Sequence, residues 1–455
     1  MQHASRITRL SALALGIAGA LAFGQAGASG FQLKENSVKS LGSAFSGSAV
    51  AENDSSVVVN NPAMMTGLSG TTVQTDLSLI DVNAEFTGSG SDITGRPISG
   101  GNGGDAADLA AVPAMSLVHK FDNGVALGAM VSAPFGLKTE YDREWVGRYY
   151  AVESDVKIVN LTLSAALDIV PERFSVGAGL VFSHANVTLS KGVDFGSVLF
   201  GQLPAAARPG APAYARPQGS DGFFEIEGQD NGIGWVAGAA LRPTDRLTIG
   251  LSYQSEIDYT LQGDVDWTVP SAARATFDAS GAGVLFRDGR GQAALTTPST
   301  TTVSVSYRVT DSFKLQTTYA ETGWESLQEV RIDFANPDAD AREDFQWDRT
   351  RFMSIGGEYK LNDAWMLRAG YAYDETPTTF QHRTPRLPDE DRKWFSLGAT
   401  WQYNDALQVN FAYTHIKPDT PQIGIITPAA AGGQRLFGSY DSNVNIVGVS
   451  AQYSF

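Results

Sequence analysis

The sequence predicts an all-β fold: a 14-stranded antiparallel transmembrane β-barrel whose lumen is plugged by a short, partly helical N-terminal hatch. Three observations carry this. Apolar and polar residues alternate over stretches longer than ordinary strands, short turns and long loops succeed one another along the chain, and some forty residues near the start show neither pattern.

Residues 1–28 read as a cleaved secretory signal, with Arg6 and Arg9, an apolar run from Leu10 to Phe23, and Ala26-Gly27-Ala28 as the cleavage site before Ser29. The apolar run is short for the roughly 20 residues of a spanning helix. No later window approaches 18 uninterrupted apolar residues, so a membrane-embedded chain must cross with strands. There is no cysteine, which excludes disulfides and thiolate metal sites, and neither a cofactor nor a metal site is expected. Lys and Arg number 33 and Asp and Glu 49; without the two leader arginines the balance is 31 − 49 = −18, which argues against nucleic acid as a partner.

The clearest strand is "RLTIGLSYQSEIDYTLQ", residues 246–262. Leu247, Ile249, Leu251, Tyr253, Ile257, Tyr259 and Leu261 share one face and polar residues or glycine the other, with Ser255 the single break in the apolar set. That length suits a tilted wall between lipid and water. "VNLTLSAALDI" and the segment from Phe174 to Ser183 flank the turn Pro171-Glu172-Arg173 as a hairpin. Comparable short turns occur at 122–124, 244–245, 310–312, 362–363 and 404–405.

Between hairpins lie Gly-, Pro- and Asp-rich stretches near 87–111, 135–154, 191–230, 263–298, 325–349, 376–391 and 419–440. Six hairpins, a first strand near 71–86 and a last near 441–455 make about fourteen strands, an even number that puts both ends at the short-turn, periplasmic side. The last strand, "VGVSAQYSF", ends on an aromatic, like the signal that barrel-insertion machinery recognises. Trp235, Trp365, Trp394 and Trp401 lie near strand ends, where interfacial aromatic girdles form, although each also suits an ordinary strand.

Residues 29–70 form the hatch and 71–455 the barrel. A wall of fourteen strands encloses a hole that an irregular segment is needed to fill. Its "SVVVNNPAMMTG" (56–67) places Asn60 or Asn61 to cap a helix that Pro62 opens.

The stretch "SGFQLKENSVKSLGSAFSGSAVAENDSSVVVNNPAMMTGL" resembles the N-terminal hatch of the FadL-type outer-membrane transporters of long-chain fatty acids and other hydrophobic compounds. The resemblance continues through "APFGLKTEYDREWVGRY" (133–149) and "RTPRLPDEDRKWFSLGATW" (383–401) to the last strand. It implies passive uptake in the outer membrane: a ligand rests among the outer loops, passes to an interior pocket against the hatch, and leaves sideways where one strand kinks inward. Small aromatic or alkane hydrocarbons are the alternative cargo. The barrel would be a monomer, with outer-membrane lipid and lipopolysaccharide around it.

The resemblance places Phe31, Asn61 and Pro62 by the interior pocket. For a fatty-acid carboxylate, loosely matched basic regions bring in His184 and Lys191 on one strand and Arg349 and Arg351 on another, unless these are lumen charges balancing acids such as Asp348. Leu199, Phe200 and the Pro- and Ala-rich segment 201–219 belong to an outer groove or to a disordered connection. "PDEDR" (388–392) reads as a solvated charge run, with a divalent ion or lipopolysaccharide contact as the alternative.

The mature chain has His119, His184, His382 and His415 but no Gly-x-Ser-x-Gly elbow, His-Glu-x-x-His helix or Walker loop, so no enzyme is expected. A general porin would leave the forty-residue hatch unused, and so would an adhesin barrel.

Overall fold

Fourteen antiparallel strands close into a barrel in the computed structural model, which describes residues 29–107, 109–428 and 432–455. The expected leader lies outside the described residues. The strands are β1 Thr71–Ser91, β2 Ala110–Lys120, β3 Val125–Glu140, β4 Glu153–Val170, β5 Phe174–Asp194 and β6 Asp221–Thr244. Four interrupted strands follow: β7 (Leu247–Gln254, Ile257–Thr268), β8 (Gly289–Thr297, Thr300–Arg308), β9 (Phe313–Thr322, Glu329–Phe334) and β10 (Ala341–Asp344, Thr350–Lys360). β11 Trp365–Asp374, β12 Arg392–Gln402, β13 Leu407–Pro418 and β14 Arg435–Ser454 complete the wall. β14 pairs with β1 from Thr72↔Ser454 to Ser91↔Arg435, so the barrel has no free edge there.

The six short turns fall where the sequence puts them, at the rim where β1 begins and β14 ends. The long loops are shorter than expected: β1 reaches Ser91, β3 Glu140 and β5 Asp194. Beyond the apolar band the outward side chains turn polar, so the period-two signal fades while the backbone ladder continues.

β7 departs from its sequence pattern. Its register against β6 changes from Val236↔Gln254 to Gln229↔Gln262, one extra residue on β7. Ser255 holds this bulge: its N–H donates to Trp235 O and its Oγ accepts from Trp235 N, each at 2.9 Å. One extra residue reverses the faces. Leu251 therefore points outward, half exposed, whereas Ile257, Tyr259 and Leu261 are buried inside. The single alternating run expected to line one lipid-facing side is apolar outside in its first half and inside in its second.

β3 is the inward-kinked strand. Its pairing with β2 stops at Met115↔Val131, and its register against β4 shifts between Ser132 and Phe135. Pro134 sits in that shift and has no N–H to offer a ladder. Beyond it the hatch replaces β2: Leu33 N donates to Pro134 O at 2.7 Å and Gly136 N to Phe31 O at 2.9 Å.

The hatch fills the lumen with two single-turn helices, α1 (Val38–Leu41) and α2 (Val57–Asn60), and a 3-10 turn, Pro62–Gly67. Val57, Val58 and Val59 are buried against Ala114, Val118, Met130, Ala166 and Ala240 of the wall. Three β-branched residues in one short turn are tolerated because packing, rather than propensity, holds it. Trp394, offered as a girdle residue, is fully buried and faces inward, its ring edge-on to Phe45 and Phe352. Trp365 and Trp401 stack outside at the short-turn rim.

Candidate ligand-binding site

Beyond the bulge in β7 and the kink in β3, those strands help to line an apolar cavity of about 70 Å³. Leu137 of β3, Val187 and Leu189 of β5, Leu261 of β7 and Leu327 form its sides. Phe31 closes one end: its ring centroid lies 5.0 Å from Trp324, 5.7 Å from Phe135 and 5.9 Å from Trp347. Four aromatic rings at these spacings make a stiff apolar wall. On the far side of Phe135 a second, mixed cavity of about 100 Å³ lies between hatch and wall, lined by Lys34, Asn36, Asn60, Gln254 and Phe352 among others.

The polar end of the first cavity is built by the loop after β11, which folds into the lumen. Arg386 is fixed there by donating Nη1 to Glu153 O at 3.1 Å, Ser154 Oγ at 3.0 Å and Ser190 O at 3.3 Å, while Nε faces Glu343 Oε1 at 3.2 Å. Lys191, half-buried on β5 two residues beyond Leu189, feels the charges of Glu343 and Arg386. The same loop buries Asp389, which accepts from Gly30 N at 2.8 Å and pairs with Arg392. Glu390 pairs with Arg383 at 2.5 Å; burial pushes its carboxyl above the usual range, against the pull of that arginine. "PDEDR" is thus no solvated run: its acids anchor the loop to the hatch and to the wall.

From the cavity an apolar path runs to the long loops. Leu189 and Val330 border a cluster of Phe224, Ile226, Val265 and Ile332, and Val193 and Trp267 connect that cluster to an outermost one. There α3 (Phe195–Gln202) and α4 (Ser271–Ala279) pack Phe195 and Leu199 against Phe277 and Phe286. Leu199 is buried in this group, and Phe200 is half-buried under the Arg208 guanidinium, 5.4 Å away. Segment 201–219 is an ordered part of the same loop, with Ala215 in the cluster.

Of the residues singled out from the sequence, Phe31 lines this cavity, and Lys191 lies on β5 two residues beyond its wall residue Leu189. Asn61 does not line either cavity: its Nδ2 donates to Ala49 O (2.7 Å) and Ala239 O (3.1 Å), and its Oδ1 accepts from Ala63 N (3.2 Å). Every polar valence is used in pinning the hatch, and at Gly238 a Cβ would lie 2.0 Å from that oxygen. Pro62 opens the adjoining turn and packs on Gly177. The neighbour, Asn60, is the amide that reaches a cavity, paired with Asn36.

His184, Arg349 and Arg351 are corrections. Ser183 and Ala185 face inward on β5 and Thr350 and Phe352 on β10, so the alternate residues must face out. His184 meets Asn231, Arg349 pairs with Glu321 and Glu325, and Arg351 with Glu375, all on the outer surface; Asp348 is not the partner. Arg386 and Glu343 were missed. The signal was present in "RTPRLPDEDR", where an arginine sits between Pro385 and Leu387, but only the fold shows that this loop turns inward.

A family model described as Outer membrane protein transport protein (OMPP1/FadL/TodX) matches residues 19–455. Outer membrane protein P1 of Haemophilus influenzae is 30% identical over 416 residues, 87% of this chain and 88% of its own length. The long-chain fatty acid transport protein of Escherichia coli K12 is 28% identical over 425 residues, 90% and 93% of the two chains. Among solved structures, a Pseudomonas aeruginosa FadL homologue superposes with a TM-score of 0.86 at 26% identity, covering 94% of this chain and 100% of that one.

Proposed function

Because the chain belongs to the OMPP1/FadL/TodX family of outer-membrane proteins that transport hydrophobic compounds, we propose that it takes up long-chain fatty acids passively across the outer membrane. On this reading the long loops face outward, the short turns and both ends of the barrel face the periplasm, and a single chain suffices. The carrying observation is the continuous apolar path from α3 and α4 to a cavity that ends on Arg386.

An acyl chain gains about 0.8 kcal/mol for each methylene taken out of water, so every cluster on the path is a favourable resting place. The carboxylate head gains charge-assisted hydrogen bonds only at the inner end, which orients the molecule and gives the path a destination. The exit is the gap where β3 leaves β2, reached past Phe31 and Phe135.

The test is equilibrium binding of oleate, methyl oleate and toluene to the detergent-folded protein. Saturable oleate binding, much weaker for the ester and lost in Lys191→Met, is the expected result. Equal affinity for acid and ester, or a preference for toluene, would move the assignment to aromatic hydrocarbons, for which the four rings around Phe31 are the supporting feature.

A further inference from the structure

A path for apolar molecules has no use for a carboxylate, yet Glu343 lies in the wall of the inner cavity. It stands on the outer piece of β10, opposite Val330, and only Glu343 and Arg386 are ionisable among the residues that line that cavity. Three of the four hydrogen bonds that the Arg386 side chain donates go to the wall through Nη1, and the fourth, from Nε, goes to Glu343. Lys191, half-buried on β5 two residues beyond Leu189 of the cavity wall, has no carboxylate within ion-pair distance among the described residues and feels the charges of Glu343 and Arg386. The cation that lines the cavity is therefore already held by a resident anion at the place where a fatty-acid head would arrive.

We propose that Glu343 is a resident competitor for the ligand's carboxylate: it occupies Arg386 in the empty barrel, yields to the incoming acid, and retakes the arginine as the acid moves on. This rests on the fatty-acid reading above. The geometry suits a partner that gives way. The Glu343 side chain is 23% exposed, so it keeps contact with water, and it engages the guanidinium through one nitrogen rather than through a two-point fork. An incoming carboxylate gains what Glu343 gives up and adds Lys191, whereas a neutral ester leaves the pair undisturbed. The competitor keeps affinity low enough for the acid to leave. Without it, the buried Arg386 guanidinium would hold the head with nothing to offset it.

The experiment compares wild type with Glu343→Gln and Glu343→Asp for equilibrium binding and dissociation rate of oleate and methyl oleate, each protein being checked for the heat-dependent gel mobility of a folded barrel. Glu343→Gln is expected to bind oleate roughly tenfold tighter and release it correspondingly more slowly, as loss of one competing charge-assisted bond implies. Methyl oleate binding stays the same, and Glu343→Asp returns oleate to near the wild-type value. Saturable oleate binding by wild type that Glu343→Gln leaves unchanged or weakens would overturn the inference while leaving the uptake reading in place. So would equal tightening of acid and ester. If neither wild type nor Glu343→Gln bound oleate, the uptake reading would fail and the competitor with it.

Discussion

The backbone N–H of Gly30 donates to Oδ2 of Asp389 at 2.8 Å, joining the start of the hatch to a loop 359 residues further along the chain. Gly30 has φ +61°, and a Cβ there would lie 2.8 Å from the Trp324 ring, so only glycine presents its N–H this way. Asp389 is fully buried and also pairs with Arg392. Replacing Asp389 by Ala leaves the buried Arg392 guanidinium without this partner and Gly30 without an acceptor. The expected loss is about 3–5 kcal/mol of stability, read from urea unfolding. A loss below 1 kcal/mol would mean that the loop and the hatch are not tied through this carboxylate.

His184, Arg349 and Arg351 lie on the outer surface, so substituting each by Ala should leave oleate affinity within about twofold, the scale of exposed pairs. Any of the three that weakened oleate binding as much as Lys191→Met would show that it reaches the lumen.

The face reversal at Ser255 is checked by accessibility, helped by a chain with no native cysteine. Asp258→Cys, outward and above the apolar band, should react rapidly on intact cells with a maleimide that cannot cross the membrane. Ile257→Cys, its buried neighbour, should react slowly. Reversed rates, with Ile257→Cys the faster, would mean that β7 runs through without a bulge.

Ala133 sits beside Pro134 at the kink, packed against the hatch and the end of β2. A Phe at this position fills the gap between β2 and β3. Oleate binding to the purified protein should persist, while uptake by cells expressing Ala133→Phe should fall at least about tenfold if ligand leaves there. Unchanged uptake by a correctly folded variant would place the exit elsewhere.

The strand number, the turns and the presence of a short helical N-terminal segment were legible because each rests on local signals. Alternation from Leu247 to Tyr253 and the turn at Pro171-Glu172-Arg173 need no knowledge of distant residues. The site was less legible. Lys191 and Phe31 were singled out through a family resemblance, and of the two Phe31 lines the inner cavity, whereas Asn61 was assigned to a pocket when its neighbour Asn60 is the one that reaches it. Arg349 and Arg351 failed for a simple reason: which of two alternating faces points inward cannot be read where both faces carry polar residues. Two prolines inside strands, Pro113 and Pro134, were the available sign of the β2–β3 gap.

By itself the sequence determined that the chain forms a closed antiparallel barrel with a plug, because periodicity, turn chemistry and the lack of an apolar helix are properties of neighbouring residues. Tertiary structure alone decided the chemistry of the interior. A one-residue bulge at Ser255 turned Tyr259 and Leu261 from the outside to the inside, and a loop folding back from β11 brought Arg386 beside Glu343, 43 positions away along the chain. Each of these depends on where a strand's faces point and on which distant segments meet, and neither is encoded in a local pattern.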